Sequence, residues 1–270
     1  MIHADFHVHT CLDHGLGQPE DMVQHACTKG LTALGLVGHS QMQFACDYAM
    51  TPESEETLFT QARALRTKYA ERLEVYCGIE QDYYGLPVSR DYDYIIGSVH
   101  YVLPEGVPVS IDSDPKQLQQ DVRRFYGGSF TQLARDYYAA VADVVNKTGA
   151  DIVGHFDLIT KFNETDRLFS TDDPAYRQAA LDAMAALVEQ DPLFEINTGA
   201  ISRGCRTTPY PERWLLEKLR ALGGRIILSS DAHRPDTLVY QFDRSARLAR
   251  DCGFRTAWVL TPDGFREQPL

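Results

Sequence analysis

Residues 7–10 read His-Val-His-Thr at the end of the first apolar run, Met1 to Phe6. On an extended chain the side chains at i and i+2 leave the same face. His7 and His9 can therefore approach one metal ion from one side. Near the other end of the chain, Ser230-Asp231-Ala232-His233 repeats that spacing with a carboxylate and an imidazole. Between them come Gly38-His39-Ser40, Gly78-Ile79-Glu80, Ser98-Val99-His100 and Gly154-His155-Phe156-Asp157, each at the end of an apolar run. His14 lies in the loop after His9. Of the nine histidines, only His3 and His25 fall elsewhere. Any one of these residues has an ordinary structural reading: Asp13-His14-Gly15 as a turn, Glu80 beside Asp82 as a solvated acidic loop, His100 or His155 as a hydrogen-bonded strand-end histidine. Independent placement would not sort them so regularly, and together they point to a metal centre. Seven imidazoles and two carboxylates exceed the roughly four ligands of a single zinc ion. They suit two or three divalent ions bridged by carboxylates, and the N and O donors without thiolate fit Zn, Fe or Mn.

The elements that must position these residues alternate along the chain. Apolar runs predict strands at Met1–Phe6, Ala33–Val37, Glu74–Gly78, Tyr94–Ser98, Asp151–Gly154, Leu193–Asn197 and Arg225–Ser229, with a weaker eighth at Thr256–Val259. Helices are expected at Pro19–Lys29, Glu53–Arg72, Gln117–Thr148, Pro174–Gln190, Pro211–Leu222 and Arg234–Cys252. Several open with proline or an acidic first turn, and Leu222-Gly223-Gly224 supplies a stop. Such alternation predicts parallel α/β structure, and seven or eight units predict a barrel in one domain spanning residues 1–270. The irregular stretches Gln41–Thr51, Tyr101–Ser113 and Phe162–Asp173 each follow a strand, which places them at the C-terminal mouth where barrel chemistry is done.

Composition narrows the partners. A chain of 270 residues can bury a substantial core, and its 44 % hydrophobic and 24 % charged residues are ordinary for a soluble globular protein. The net charge of −12 argues against long nucleic acid, which is normally met by a basic stripe. It does not argue against small anions, because bound cations reverse the local sign. Six scattered cysteines (Cys11, Cys27, Cys46, Cys77, Cys205, Cys252) without a CxxC pair suit a reducing cytoplasm. No apolar run approaches a membrane span.

The ordered set HxH, GHS, GIE, SVH, GHFD and SDAH resembles the PHP (polymerase and histidinol phosphatase) superfamily, over nearly the whole chain. Gly154-His155-Phe156-Asp157-Leu158-Ile159 with Lys161-Phe162, followed by Glu195-Ile196-Asn197-Thr198, resembles its stand-alone histidinol-phosphatase branch. The resemblance implies a distorted (β/α)7 barrel with a trinuclear site at the C-terminal mouth. It implies one metal held by His7, His9, Glu80 and Asp231, a second sharing Glu80 with His100 and His155, and a third held by His14, His39 and His233. Two positions depart from the family pattern. Gly38 stands where an acidic residue usually precedes the third-site histidine, and the loop between His9 and His14 is one residue shorter.

The activity so implied is hydrolysis of L-histidinol phosphate in histidine synthesis. Metal ions would neutralise the ester, and a hydroxide shared by the Glu80-linked ions would attack phosphorus in line. Glu80, Asp231 and His233 are the expected catalytic residues, with Asp231 a candidate proton donor to the leaving alkoxide. Lys161 and Arg203, each just after a site strand, are the expected phosphate cations, with Arg206 and Arg234 as substitutes. The groups that recognise the rest of the substrate are expected from Gln41–Thr51 and Tyr101–Ser113. The main alternative is a phosphoesterase of the same superfamily acting on nucleotides or other mono- or diesters. An amidohydrolase lacks its bridging lysine here, and a non-catalytic barrel would show degenerate ligands.

Overall fold

The computed structural model describes residues 2–270. Its strands, in chain order, are β1 (Ala4–Val8), β2 (Ala33–Leu36), β3 (Glu74–Asp82), β4 (Tyr94–Ser98), β5 (Tyr101–Val102), β6 (Val109–Ser110), β7 (Ile152–Val153), β8 (Leu193–Asn197), β9 (Arg225–Ser229), β10 (Thr256–Thr261) and β11 (Gly264–Pro269). Seven of these form one sheet in the order β1-β2-β3-β4-β7-β8-β9, and every neighbouring pair is parallel. Parallel neighbours require crossovers, which the intervening helices provide. The first and last strands of the sheet meet at the mouth. Val8 bridges Ala232 in parallel, through His9 N to Ala232 O at 2.8 Å and Ala232 N to His7 O at 3.1 Å. The buried carboxylate of Asp5 fastens the same seam, accepting from Ser230 N at 3.1 Å and Val239 N at 2.9 Å. The result is a distorted (β/α)7 barrel.

The six expected barrel strands that lie wholly among the described residues all appear within a few residues of their predicted positions. Met1 of the expected Met1–Phe6 strand lies outside the described residues. The eighth candidate, Thr256–Val259, pairs antiparallel with β11 and stays out of the main sheet.

Two long helices of the sequence reading are each broken. Gln117–Thr148 is resolved into Pro115–Tyr126 and Phe130–Thr148, because Gly127 and Gly128 both take positive φ, which glycine adopts without penalty. Ser129 then caps the second helix. Arg234–Cys252 becomes a short turn at Pro235–Thr237 and a helix at Phe242–Asp251, with Val239 and Gln241 at positive φ between them. Other helix starts follow the expected chemistry. Proline opens the helices at Pro19, Pro52, Pro115 and Pro174, and Thr51 and Ser54 form a reciprocal capping pair.

Packing inside the barrel depends on one tyrosine and two glycines. Tyr94 is buried and donates to Phe6 O at 2.5 Å. A Cβ on Gly35 or Gly78 would strike its ring or hydroxyl, so the two glycines clear the space this tyrosine fills. No helix among the described residues is long and apolar enough to cross a membrane.

Candidate metal centre

The C-terminal ends of the barrel strands deliver the site. His7 is the penultimate residue of β1 and His9 follows the strand; Glu80 sits near the end of β3; His39, His100, His155, Asp231 and His233 lie just past β2, β4, β7 and β9. Because parallel strands share a direction, residues at these ends converge on one face of the barrel.

Glu80 lies at the centre of the convergence. Its Oε2 is 3.3 Å from both His7 Nε2 and His9 Nε2 and 2.9 Å from His39 Nδ1. Its Oε1 is 2.7 Å from Ser98 Oγ, 3.0 Å from His155 Nε2 and 3.5 Å from His100 Nε2. The Nε2 atoms of His7 and His9 face each other at 3.1 Å, with Asp231 Oδ1 at 3.8 and 3.6 Å from them. Around the rim, His9 stacks on His39 and His233 with centroids 4.5 and 4.3 Å away, and the more exposed His14 lies 4.3 Å from His233 and 5.0 Å from His39. Thus all nine expected ligands meet in one place.

Their groupings overlap. Donor atoms lie within 4.8 Å of one another in four triplets: His7, His9 and Glu80; His39, Glu80 and His100; His9, His39 and His233; and Asp13, His14 and His39. His39 therefore stands between groups that the family pattern keeps apart.

Carboxylates behind the rings orient them, a role the sequence did not reveal. Glu195 Oε1 is 2.7 Å from His7 Nδ1, Asp13 Oδ2 is 2.5 Å from His9 Nδ1, and Asp82 Oδ2 is 3.1 Å from His100 Nδ1. A carboxylate on one ring nitrogen fixes the tautomer and turns the other nitrogen to the centre. Glu195 also accepts from His155 N at 3.1 Å and Asn197 Nδ2 at 3.0 Å, so one buried side chain steadies two site strands. Asp13 accepts from His39 N as well, at 3.2 Å, and thereby serves the neighbourhood that Gly38 cannot. A Cβ on Gly38 would lie 2.5 Å from Met50 Sδ, so an acidic side chain there would have to displace that buried methionine. Of these carboxylates, Glu195 carried a readable signal: an acid inside the fully buried strand Leu193–Asn197 must have a partner.

The electrostatics call for added positive charge. Burial opposes charge on every group, yet Glu80 is held well below the usual carboxylate range by His39, His7 and His100. Asp231 is held there by Arg203, His7 and His233. Burial likewise resists protonation of His9 and His100, but Asp13 for the first and Glu80 with Asp82 for the second lift them to about 9. Burial instead pushes His39 and His233 down. Part of the cluster thus binds protons where cations would serve. Buried Glu80 Oε2 has no aligned hydrogen-bond donor, and neither His233 Nε2 nor His155 Nδ1 has a partner among the described residues. An orphaned carboxylate oxygen among imidazole nitrogens is costly without a cation to complete it. The residues fit divalent metal ions.

Asp231 adds a backbone observation. Its φ is +49°, an uncommon conformation for a residue with a side chain, and functional sites concentrate such strain. Arg203 holds it there, with Nη2 2.9 Å from Oδ2 and Nη1 3.0 Å from its carbonyl. Gly199 is required beside it, since a Cβ would lie 2.5 Å from Asp231 Oδ2.

Beside the cluster lies a cavity of about 130 Å³, lined also by Lys161, Arg203, Tyr48 and Asp112. Both expected phosphate cations are therefore at the site, and neither is free: Arg203 is bound to Asp231, and Lys161 Nζ sits 3.0 Å from Asp112 Oδ2. The two substitutes are elsewhere. Arg206 is buried over the Tyr210 ring, close to Glu164 and Glu212, and Arg234 pairs with Asp236 on the surface. Tyr48 and Asp112 come from the two loops expected to read the substrate, the second loop carrying the β5–β6 hairpin.

Comparison with known proteins agrees with this geometry. The PHP domain model matches residues 5–199. A "probable histidinol-phosphatase" of Deinococcus radiodurans is 31 % identical over 266 residues, covering 94 % of this chain and 95 % of that protein. A protein of the same name from Schizosaccharomyces pombe is 28 % identical over 278 residues, covering 94 % and 88 %. Among solved structures, histidinol phosphate phosphatase from Lactococcus lactis, complexed with Zn, L-histidinol and phosphate, matches with a TM-score of 0.76 at 20 % identity, over 98 % of this chain and 99 % of that one; at that identity the match speaks for the fold. With the barrel, the ordered histidines and the matched domain in agreement, the chain belongs to the PHP family.

Proposed function

We propose that this chain is a metal-dependent phosphomonoesterase that hydrolyses L-histidinol phosphate to L-histidinol and phosphate. The observation that carries the reading is the Glu80-centred cluster opening into a cavity that also holds Lys161 and Arg203. The two relatives named for this activity, each covering most of the chain, supply the substrate. His7, His9, Glu80 and Asp231 would hold one ion, Glu80, His100 and His155 a second, and His14, His39 and His233 a third. Bound divalent ions supply Lewis acidity toward the phosphoryl oxygens and lower the pKa of water.

The chain's own residues do the rest. Glu195, Asp13 and Asp82 hold the rings in position before substrate arrives, so no reorganisation is needed during reaction. Lys161 and Arg203 offer positive charge to the phosphate. Asp231, kept ionised by Arg203, holds charge and geometry and is poorly suited to release a proton. The reaction is assigned to the whole chain, residues 1–270, as one barrel domain. Its six unpaired cysteines suit a reducing cytoplasm, and small phosphorylated molecules are its partners, not long nucleic acid.

The test is phosphate release from L-histidinol phosphate beside an aryl phosphate and a phosphodiester, with protein reconstituted in parallel with Zn, Mn and Fe(II). A strong preference for L-histidinol phosphate supports the reading. Preference for the diester, or no preference, moves the enzyme to nucleotides or other phosphate esters.

A further inference from the structure

We propose that Asp112 is the specificity residue of this pocket, receiving a substrate ammonium beside the phosphate held by Lys161. The pocket would then select phosphate monoesters that carry an amine close to the ester. This rests on the phosphatase reading above.

A pocket meant for a phosphate dianion gains nothing from a carboxylate in its wall, because like charges at short range repel more strongly in a partly desolvated cleft than in water. Asp112 is nevertheless there, with its side chain 20 % exposed to the cavity. An ordinary explanation would be that it anchors Lys161. The backbone already does that: Lys161 Nζ donates to the Asp112 carbonyl at 2.7 Å. The carboxylate is an additional contact at 3.0 Å, through Oδ2 alone, and no described residue donates to Oδ1. The segment is well placed for recognition, because Ile111 N donates to His100 O at 2.8 Å and ties it to the metal face. Adjacent lysine and aspartate therefore present a plus–minus pair to the cavity. A molecule bearing a phosphate and an ammonium a few bonds apart presents the complementary pair. Tyr48 adds a second unspent group: it lines the same cavity, and its buried hydroxyl has no partner among the described residues.

The experiment compares the metal-reconstituted enzyme and its Asp112→Asn variant on L-histidinol phosphate and on 3-(imidazol-4-yl)propyl phosphate, which lacks only the amine. The wild type is expected to favour the amine-bearing ester by about tenfold to a hundredfold in kcat/KM, the range of a charge-assisted hydrogen bond. Asp112→Asn should lose most of that preference, with kcat/KM falling much further on the amine-bearing ester than on the desamino ester, because the carbonyl still holds Lys161. Affinity for L-histidinol, measured by calorimetry without turnover, should fall in parallel. Equal loss on both esters would overturn the proposal in favour of a role in positioning Lys161, and an unchanged preference would overturn it outright. The wild-type comparison needs no variant: equal efficiency on the two esters sinks this inference alone, whereas turnover of neither sinks the phosphatase reading and the inference with it.

Discussion

At the scale of single residues, the centre is a problem in charge balance. His9 and Asp231 lie against Glu80 or its histidines, so His9→Ala or Asp231→Ala should remove bound metal and activity together while the barrel stays folded. Metal content, turnover and circular dichroism on the same sample check this, and full activity in either variant would refute the site assignment. Arg203→Ala should raise KM for phosphate esters. It should also lower metal content, because Arg203 holds the Asp231 carboxylate; unchanged KM and metal would dismiss both roles. The titrations carry a further consequence. In metal-free protein His9 and His100 are raised from 6.5 to about 9. A raised folded-state value contributes stability that is fully present below pH 6.5 and lost as pH rises through about 9. Chelated protein should therefore melt at lower temperature at pH 9 than at pH 6.5, while metal-loaded protein, whose rings carry no such protons, should lose less. A flat profile after chelation would contradict the assignment. The ligands themselves were legible because histidine and glutamate at strand ends are conspicuous. Asp13, Asp82 and Asp112 were not, because each looks like an ordinary loop acid until the fold shows what it touches.

At the scale of elements, the strands were readable because buried parallel strands are short, nearly continuous apolar runs. Tyr94–Ser98, Leu193–Asn197 and Arg225–Ser229 fall where the pattern puts them. Helix breaks were less readable, since the periodicity runs on across Gly127-Gly128 and the positive φ at Val239 and Gln241 has no glycine to announce it. Nor did the two-residue strands β5 and β6 carry enough pattern to be seen, although their hairpin leads to Asp112. The close packing of β3 against Tyr94 gives a test at this scale. Gly78→Ala would drive a Cβ into the Tyr94 ring, and overpacking of this kind costs about 1–3 kcal/mol. The denaturation midpoint should drop accordingly, and a midpoint equal to wild type would show that the ring is not confined as described.

At the scale of the whole molecule, the barrel must close before the site exists, because His7 and His9 come from the first strand and Asp231 and His233 from just past the last. Asp5 accepts two backbone donors across that closure. Asp5→Asn keeps one and turns an amide donor toward the other, leaving a buried N–H unsatisfied at about 1–3 kcal/mol. Melting should fall by several degrees, at roughly 2–4 °C per kcal/mol for a chain near this size; an unchanged melting temperature would relieve Asp5 of the role. Closure was legible only in the alternation of the whole chain and in no local pattern, since His7 and Asp231 are more than 200 residues apart in the sequence. The most direct test of the account is a crystal structure of zinc-loaded protein with anomalous scattering recorded at the zinc edge. Two or three peaks are expected at the barrel mouth, with the Glu80 carboxylate between two of them and His7, His9, His100, His155 and Asp231 among their neighbours. A single peak away from Glu80, or none at the mouth, would contradict it.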